Sequence, residues 1–123
     1  DAATVATEGP LRERYVHPLP FAGMVHYLTY WVREKGVLRL EDAIRKMTSM
    51  PARRFGLAGR GLLVPDAYAD VVVFDYEGLE DVATLENPVA YCQGIDHVLV
   101  NGTPVVDTGA HTGTRPGRIL RST

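Results

Sequence analysis

With only one cysteine, Cys92, among its 123 residues, the chain can form no intramolecular disulfide and holds no Cys-x-x-Cys metal or redox motif. Cys92 reads as a small packing residue. No apolar run approaches the ~20 residues needed to cross a bilayer, and no internal repeat or low-complexity tract is present. Thirteen Lys and Arg against 15 Asp and Glu give a formal net charge of -2, so the chain lacks the positive excess on which general nucleic-acid affinity rests. Arg115, Arg118 and Arg121 do not change that balance. What remains, 46% hydrophobic and 23% charged residues, suits a soluble globular chain with one modest core and a cytoplasmic location. The chain opens Asp1-Ala2-Ala3, with no initiator Met and no signal-peptide pattern, and reads as a fragment or a processed product.

Residues 1–20 mix Gly9, Pro10, Pro18 and Pro20 with polar residues in no sustained period, the pattern of a loop. From Phe21, apolar Met24, Val25, Leu28 and Trp31 or Val32 recur at helical spacing, and Arg33 and Lys35 precede Gly36 as a cationic last turn and C-cap. A second helix is predicted through Leu40, Ala43, Ile44 and Met47, with Glu41 and Asp42 at its start and Arg45 and Lys46 at its end, the favourable order for the helix dipole. A short third helix is predicted from Pro51 to Gly56. Arg53, Arg54 and Arg60 read as a solvated basic face.

After Gly59 the period shortens. Leu62-Leu63-Val64 and Val71-Val72-Val73-Phe74 are predicted strands; Asp75 to Pro88, acidic and rich in turn residues, is predicted to cross the surface. His97 to Val100 reads as a strand that Asn101-Gly102 turns back along Thr103 to Asp107. Pro104 lacks a ladder donor, so the return strand should be short or lie at an edge. Thr108 to Gly117 is expected to be loop and Arg118 to Arg121 a terminal strand. Asp70 and Asp75, flanking the Val71 strand, are expected to cap turns through their carboxylates.

The stretch Arg60-Gly61-Leu62 through Ala69-Asp70 to Phe74-Asp75, with the hairpin His97 to Val106, resembles the C-terminal end of the metal-dependent amidohydrolases. The similarity extends to their N-acyl-D-amino-acid deacylase (D-aminoacylase) branch along nearly the whole chain. Asp1, His17-Pro18, Lys46-Met47-Thr48-Ser49-Met50-Pro51-Ala52, Gly56-Leu57, Val100-Asn101-Gly102 and Gly117-Arg118 follow in that branch's order. The chain departs from the branch at Leu19, where many members carry an Arg that can reach the substrate carboxylate. It departs again at Asp66-Ala67, where a Gly is usual.

The resemblance implies an α/β parent, a TIM-like barrel with a small β-sandwich, of which this chain would be an α+β piece. Residues 1–58 would supply the last barrel loop and helices, and 59–123 a segment of the sandwich. It also implies a zinc-dependent hydrolase that cleaves N-acyl-D-amino acids to a carboxylate and a free D-amino acid, with the missing N-terminal part of the same enzyme as partner. In such chemistry the metal polarises the amide carbonyl while a carboxylate takes the proton of the attacking water. Asp1 matches that carboxylate, and it is also the one candidate here for contact with the metal; the other ligands would lie upstream. His17, in the loop, is the candidate for touching substrate. None of the four histidines has zinc-site spacing, and the isolated chain is expected to be inactive and to hold no zinc tightly. The alternatives are a cyclic-amide amidohydrolase of the dihydroorotase or hydantoinase kind, and a non-catalytic β-rich interaction module.

Overall fold

The computed structural model describes residues 17–121. They form an α+β unit in which a helical layer precedes a four-stranded antiparallel sheet. Helix α1 (Leu19–His26) starts at Pro18, with Pro20 in a first turn that has no use for its missing donor. It runs directly into a π-helical stretch, Tyr27–Glu34, in which the Lys35 N–H reaches back five residues to the Tyr30 carbonyl at 2.9 Å. The inward face of this long element carries Ala22, Val25, Leu28, Thr29 and Val32. Met24 and Trp31, which share the apolar spacing of the sequence, are instead exposed.

Helix α2 (Leu40–Met47) has Glu41 and Asp42 in its first turn and Arg45 and Lys46 in its last, and lays Ala43, fully buried, against the π-helical stretch. Helix α3 (Ser49–Arg54) begins two residues earlier than the sequence suggests, because Pro51 is tolerated anywhere in the first turn, where no amide has a helical acceptor.

Strands β1 (Val71–Phe74), β2 (Ile95–Val100), β3 (Thr103–Asp107) and β4 (Ala110–His111) pair in sequence order. Val71 faces Leu99 and Val73 faces His97, and a bulge then shifts Phe74 onto Ile95. Asn101 and Gly102, with φ of 51° and 79°, make the tight turn between β2 and β3, and Val100 pairs with Thr103 across it. Against the expectation from Pro104, β3 is of ordinary length and lies inside the sheet between β2 and β4. Pro104 is accommodated opposite Leu99, beside the register shift between Val98 and Leu99, and β4 meets β3 at Val106 and Asp107. The other rim of the sheet is β1, whose outer edge no described strand pairs.

Several expectations fail, the Thr108–Gly117 loop among them, since Ala110–His111 within it pairs with β3 as strand β4. Leu62-Leu63-Val64 forms no strand and is largely exposed, as is Ile119 at 91%; apolar and β-branched composition gives a strand only where the segment docks on a sheet edge, and this one does not pair with the open edge of β1. The residues from Arg118 to Arg121 are likewise irregular. The 75–88 segment is more than a surface crossing: Leu79 is 0% exposed and joins Val25, Leu28, Val32 and Ala43 in the core. A single Leu between Gly78 and Glu80 has no period to announce it. Gly94 lies so close over this segment that a Cβ there would stand 2.6 Å from the Gly78 carbonyl oxygen.

Candidate functional site

His17 sits at the head of α1. Its Nδ1 accepts the Leu19 N–H at 3.1 Å, so the ring proton is left on Nε2, which is the remaining donor. Beside it opens a cleft of about 290 Å³ between the first turns of α1 and residues 81–85, lined by His17, Leu19, Ala22, Asp81, Ala83 and Leu85 among others. The far wall is held in shape by Asp81. One carboxylate oxygen lies 2.9 Å from His26 Nδ1 on α1, and the other accepts the Ala83 N–H at 3.2 Å. Thr84 Oγ1 accepts the Asn87 N–H at 3.0 Å and closes the loop.

A second cleft, about 270 Å³, shares His26 and Asp81 and continues along Tyr30, Arg33 and Glu80. His26 stacks on Tyr30 with centroids 5.2 Å apart. Arg33 does not face this space as a free cation, because its Nη1 donates to the carbonyls of Tyr76 at 2.9 Å and Glu77 at 3.1 Å, fastening the π-helical stretch to the turn after β1.

Asp1, the expected catalytic carboxylate, lies outside the described residues. His17 is found at the cleft. His26 is engaged with Asp81, His97 with Asp107 at 3.0 Å, and His111 accepts the Gly113 N–H at 2.9 Å through Nδ1. Zinc sites draw on three or four His, Cys or carboxylate ligands. Among the described residues no three such groups converge, so those residues do not themselves compose a zinc centre. No helix among them is long and apolar enough to cross a membrane.

Asp75 caps its turn as expected, accepting the Glu77 N–H at 3.1 Å. Asp70 does more. It accepts the Asn101 N–H and pairs with Arg60, whose guanidinium also reaches Asn101 Oδ1 at 2.6 Å and stacks 4.2 Å over Tyr68. Arg60 is thus a structural tie between the pre-strand turn and the hairpin rather than part of a solvated basic face. Cys92 packs against the core and donates weakly to the Phe21 carbonyl at 3.6 Å; burial, aided by the nearby Asp81 charge, pushes its thiol up. Asp81 itself went unnoticed in the sequence, where nothing links it to a histidine 55 positions away.

Residues 13–106 match the amidohydrolase family. An N-acyl-D-glutamate deacylase of Alcaligenes xylosoxydans xylosoxydans is 45% identical over 98% of this chain, which corresponds to 25% of that protein. Among solved structures, a D-aminoacylase described as defining a novel subset of amidohydrolases superposes with a TM-score of 0.77 at 42% identity. That match covers 80% of this chain and 21% of the other. The N-acyl-D-glutamate deacylase of Bordetella bronchiseptica, complexed with zinc and a phosphonate mimic of the tetrahedral intermediate, gives 0.73 at 45% identity, over 80% of this chain and 20% of its own. The chain therefore spans about a quarter of the length of the curated relative it matches.

Proposed function

Since the chain belongs to the amidohydrolase family, we propose that it is the C-terminal part of a zinc-dependent hydrolase that splits N-acyl-D-amino acids into a carboxylate and a free D-amino acid. The observation that carries this reading is the alignment of 98% of the chain, at 45% identity, with a deacylase. A cyclic-amide hydrolase or a mere packing module would not require likeness to deacylases from the loop around His17 through to the closing hairpin.

In the parent, residues 1–58 supply a loop and helices of a TIM-like barrel and 59–123 a segment of a small β-sandwich. The change from helix to irregular chain after Arg54, with the first strand at Val71, supports a division near that point. A single sheet with an unpaired rim at β1 supports a sandwich completed by other strands of the same enzyme. Zinc, when bound by residues elsewhere in the parent, supplies Lewis acidity.

Within this chain, Asp1 takes the proton of the attacking water and delivers it to the leaving nitrogen. His17 holds the substrate with its Nε2–H. Purified parent enzyme should hydrolyse N-acetyl-D-amino acids in preference to the L-enantiomers and to dihydropyrimidines. Turnover of cyclic amides alone would overturn the assignment.

A further inference from the structure

The cleft beside His17 has a chemical polarity of its own. At one end stands the His17 Nε2–H donor, fixed in direction because Nδ1 is engaged by the Leu19 amide; among the described residues His26 and Thr84 also reach the lining. Ala22 and Ala83 line its floor and Leu19 and Leu85 its exposed rim; among the described residues the only acidic group in the lining is Asp81, and none is a Lys or Arg. Asp81 is itself committed to His26 and to the Ala83 amide. A carboxylate pushed into this space would lose water with no cation to replace it and would meet the Asp81 charge. A hydrocarbon group loses nothing polar there. The volume, about 290 Å³, is at the small end for ligand sites and suits one aliphatic chain rather than a whole bulky ligand. The walls are set before any ligand arrives, one by the helix and the other by the hydrogen bonds that Asp81 and Thr84 make within the loop.

We infer that this cleft receives a hydrocarbon group of the substrate, the acyl tail or an apolar side chain, while His17 Nε2–H donates to the oxygen at its near end. The inference rests on the deacylase reading and adds a specificity to it: the group that enters the cleft is apolar, and an acidic one is rejected. Leu19, Ala83 and Leu85 become the residues that set chain-length preference.

The test uses the full parent enzyme and two substrate series, N-acyl chains from acetyl to hexanoyl on D-leucine, and N-acetyl derivatives of D-alanine, D-leucine and D-glutamate. In the series whose variable group enters the cleft, kcat/KM should rise with each added methylene, by about tenfold or more across the series. Ala83→Phe, which fills the cleft, should flatten that rise by lowering kcat/KM more for the long substrates than for the short ones. Leu85→Arg, at an exposed position on the rim, should instead raise relative use of a substrate carrying a carboxylate in that group. Flat chain-length dependence in the unmodified enzyme, or equal losses for all substrates in Ala83→Phe, would overturn the inference.

Hexanoate provides a readout independent of turnover, since it should shift the methyl NMR signals of Leu19, Ala83 and Leu85 in the parent. If those signals move but no N-acyl-D-amino acid is hydrolysed, the deacylase reading fails and the cleft assignment stands. If hydrolysis proceeds and the signals stay fixed, the cleft assignment fails alone.

Discussion

Asp70 Oδ1 accepts the backbone N–H of Asn101 at 2.9 Å across 31 positions of sequence. The same carboxylate pairs with Arg60, and Asn101 Nδ2 passes the link on to the Pro116 carbonyl at 2.8 Å. One acid thus fixes the start of β1, the β2–β3 turn and the chain beyond β4.

Burial pushes the Asp70 carboxyl up, but the Asn101 amide together with the Arg60 hydrogen bond and charge outweighs it, so Asp70 titrates below the ordinary carboxylate value. A depressed folded pKa means stability that is present above the unfolded value, about 3.9, and lost as pH falls through the folded one. Asp70→Asn should therefore lower stability near neutral pH by about 1 kcal/mol, a figure held down by the partial exposure of the pair. The difference in melting temperature from the unmodified protein should shrink as the pH drops below roughly 4. A gap that stays constant with acidification would contradict this account.

Gly102→Val places a β-branched residue at φ 79° in the hairpin turn. The strain should cost about 1–2 kcal/mol, read as a lower midpoint in urea with unchanged slope. An unaltered midpoint would mean that the turn can rearrange freely.

Leu79→Ala empties the one large side chain that is fully buried among the described residues, and should cost about 2–5 kcal/mol in the isolated chain and the parent alike. Leu63, 79% exposed here, offers the contrast. If other strands of the parent complete the sandwich over it, Leu63→Ala should cost about 1 kcal/mol or more only in the parent. Equal, negligible effects of Leu63→Ala in both would count against the composite sandwich.

Asp1→Asn in the parent keeps size and hydrogen bonding but removes the proton acceptor. Turnover of N-acyl-D-amino acids should fall by about 10²–10⁴, with zinc content, checked by atomic absorption, affected much less. Activity within about threefold of the unmodified rate, under 1 kcal/mol of barrier, would rule out proton transfer by Asp1.

The isolated 123-residue chain, dialysed against chelator-free buffer, should retain well below roughly one zinc ion per molecule, since it presents one candidate ligand where about three are required. Stoichiometric zinc would show that a metal centre assembles within this chain.

The helices were legible because burial imposes a 3.6-residue period on α1 and α2, and the hairpin because Asn101-Gly102 is a pair suited to two successive positive φ angles. The π-helical hydrogen bonding from Tyr27 onward was not, since its i to i+5 geometry leaves no distinct spacing in so short a run. Leu62 to Val64 carries a strand's composition without docking on a sheet edge, and composition alone does not decide whether it docks. At the site, His17 was readable as a loop residue next to Pro18. The wall opposite it was not, because Asp81 meets His26 only after 55 residues of chain have folded back, and local pattern holds no record of such a return.

The bare rim of β1 also bears on how the chain behaves in a test tube. Val71-Val72-Val73-Phe74 has no charge and no proline, with Val72 and Val73 about half exposed at 52% and 44%, so its unsatisfied amides and carbonyls form a template for any other extended strand. Produced apart from the rest of its parent, the segment is expected to self-associate as its concentration rises. A lysine in place of Val72 would act as a gatekeeper that keeps it monodisperse.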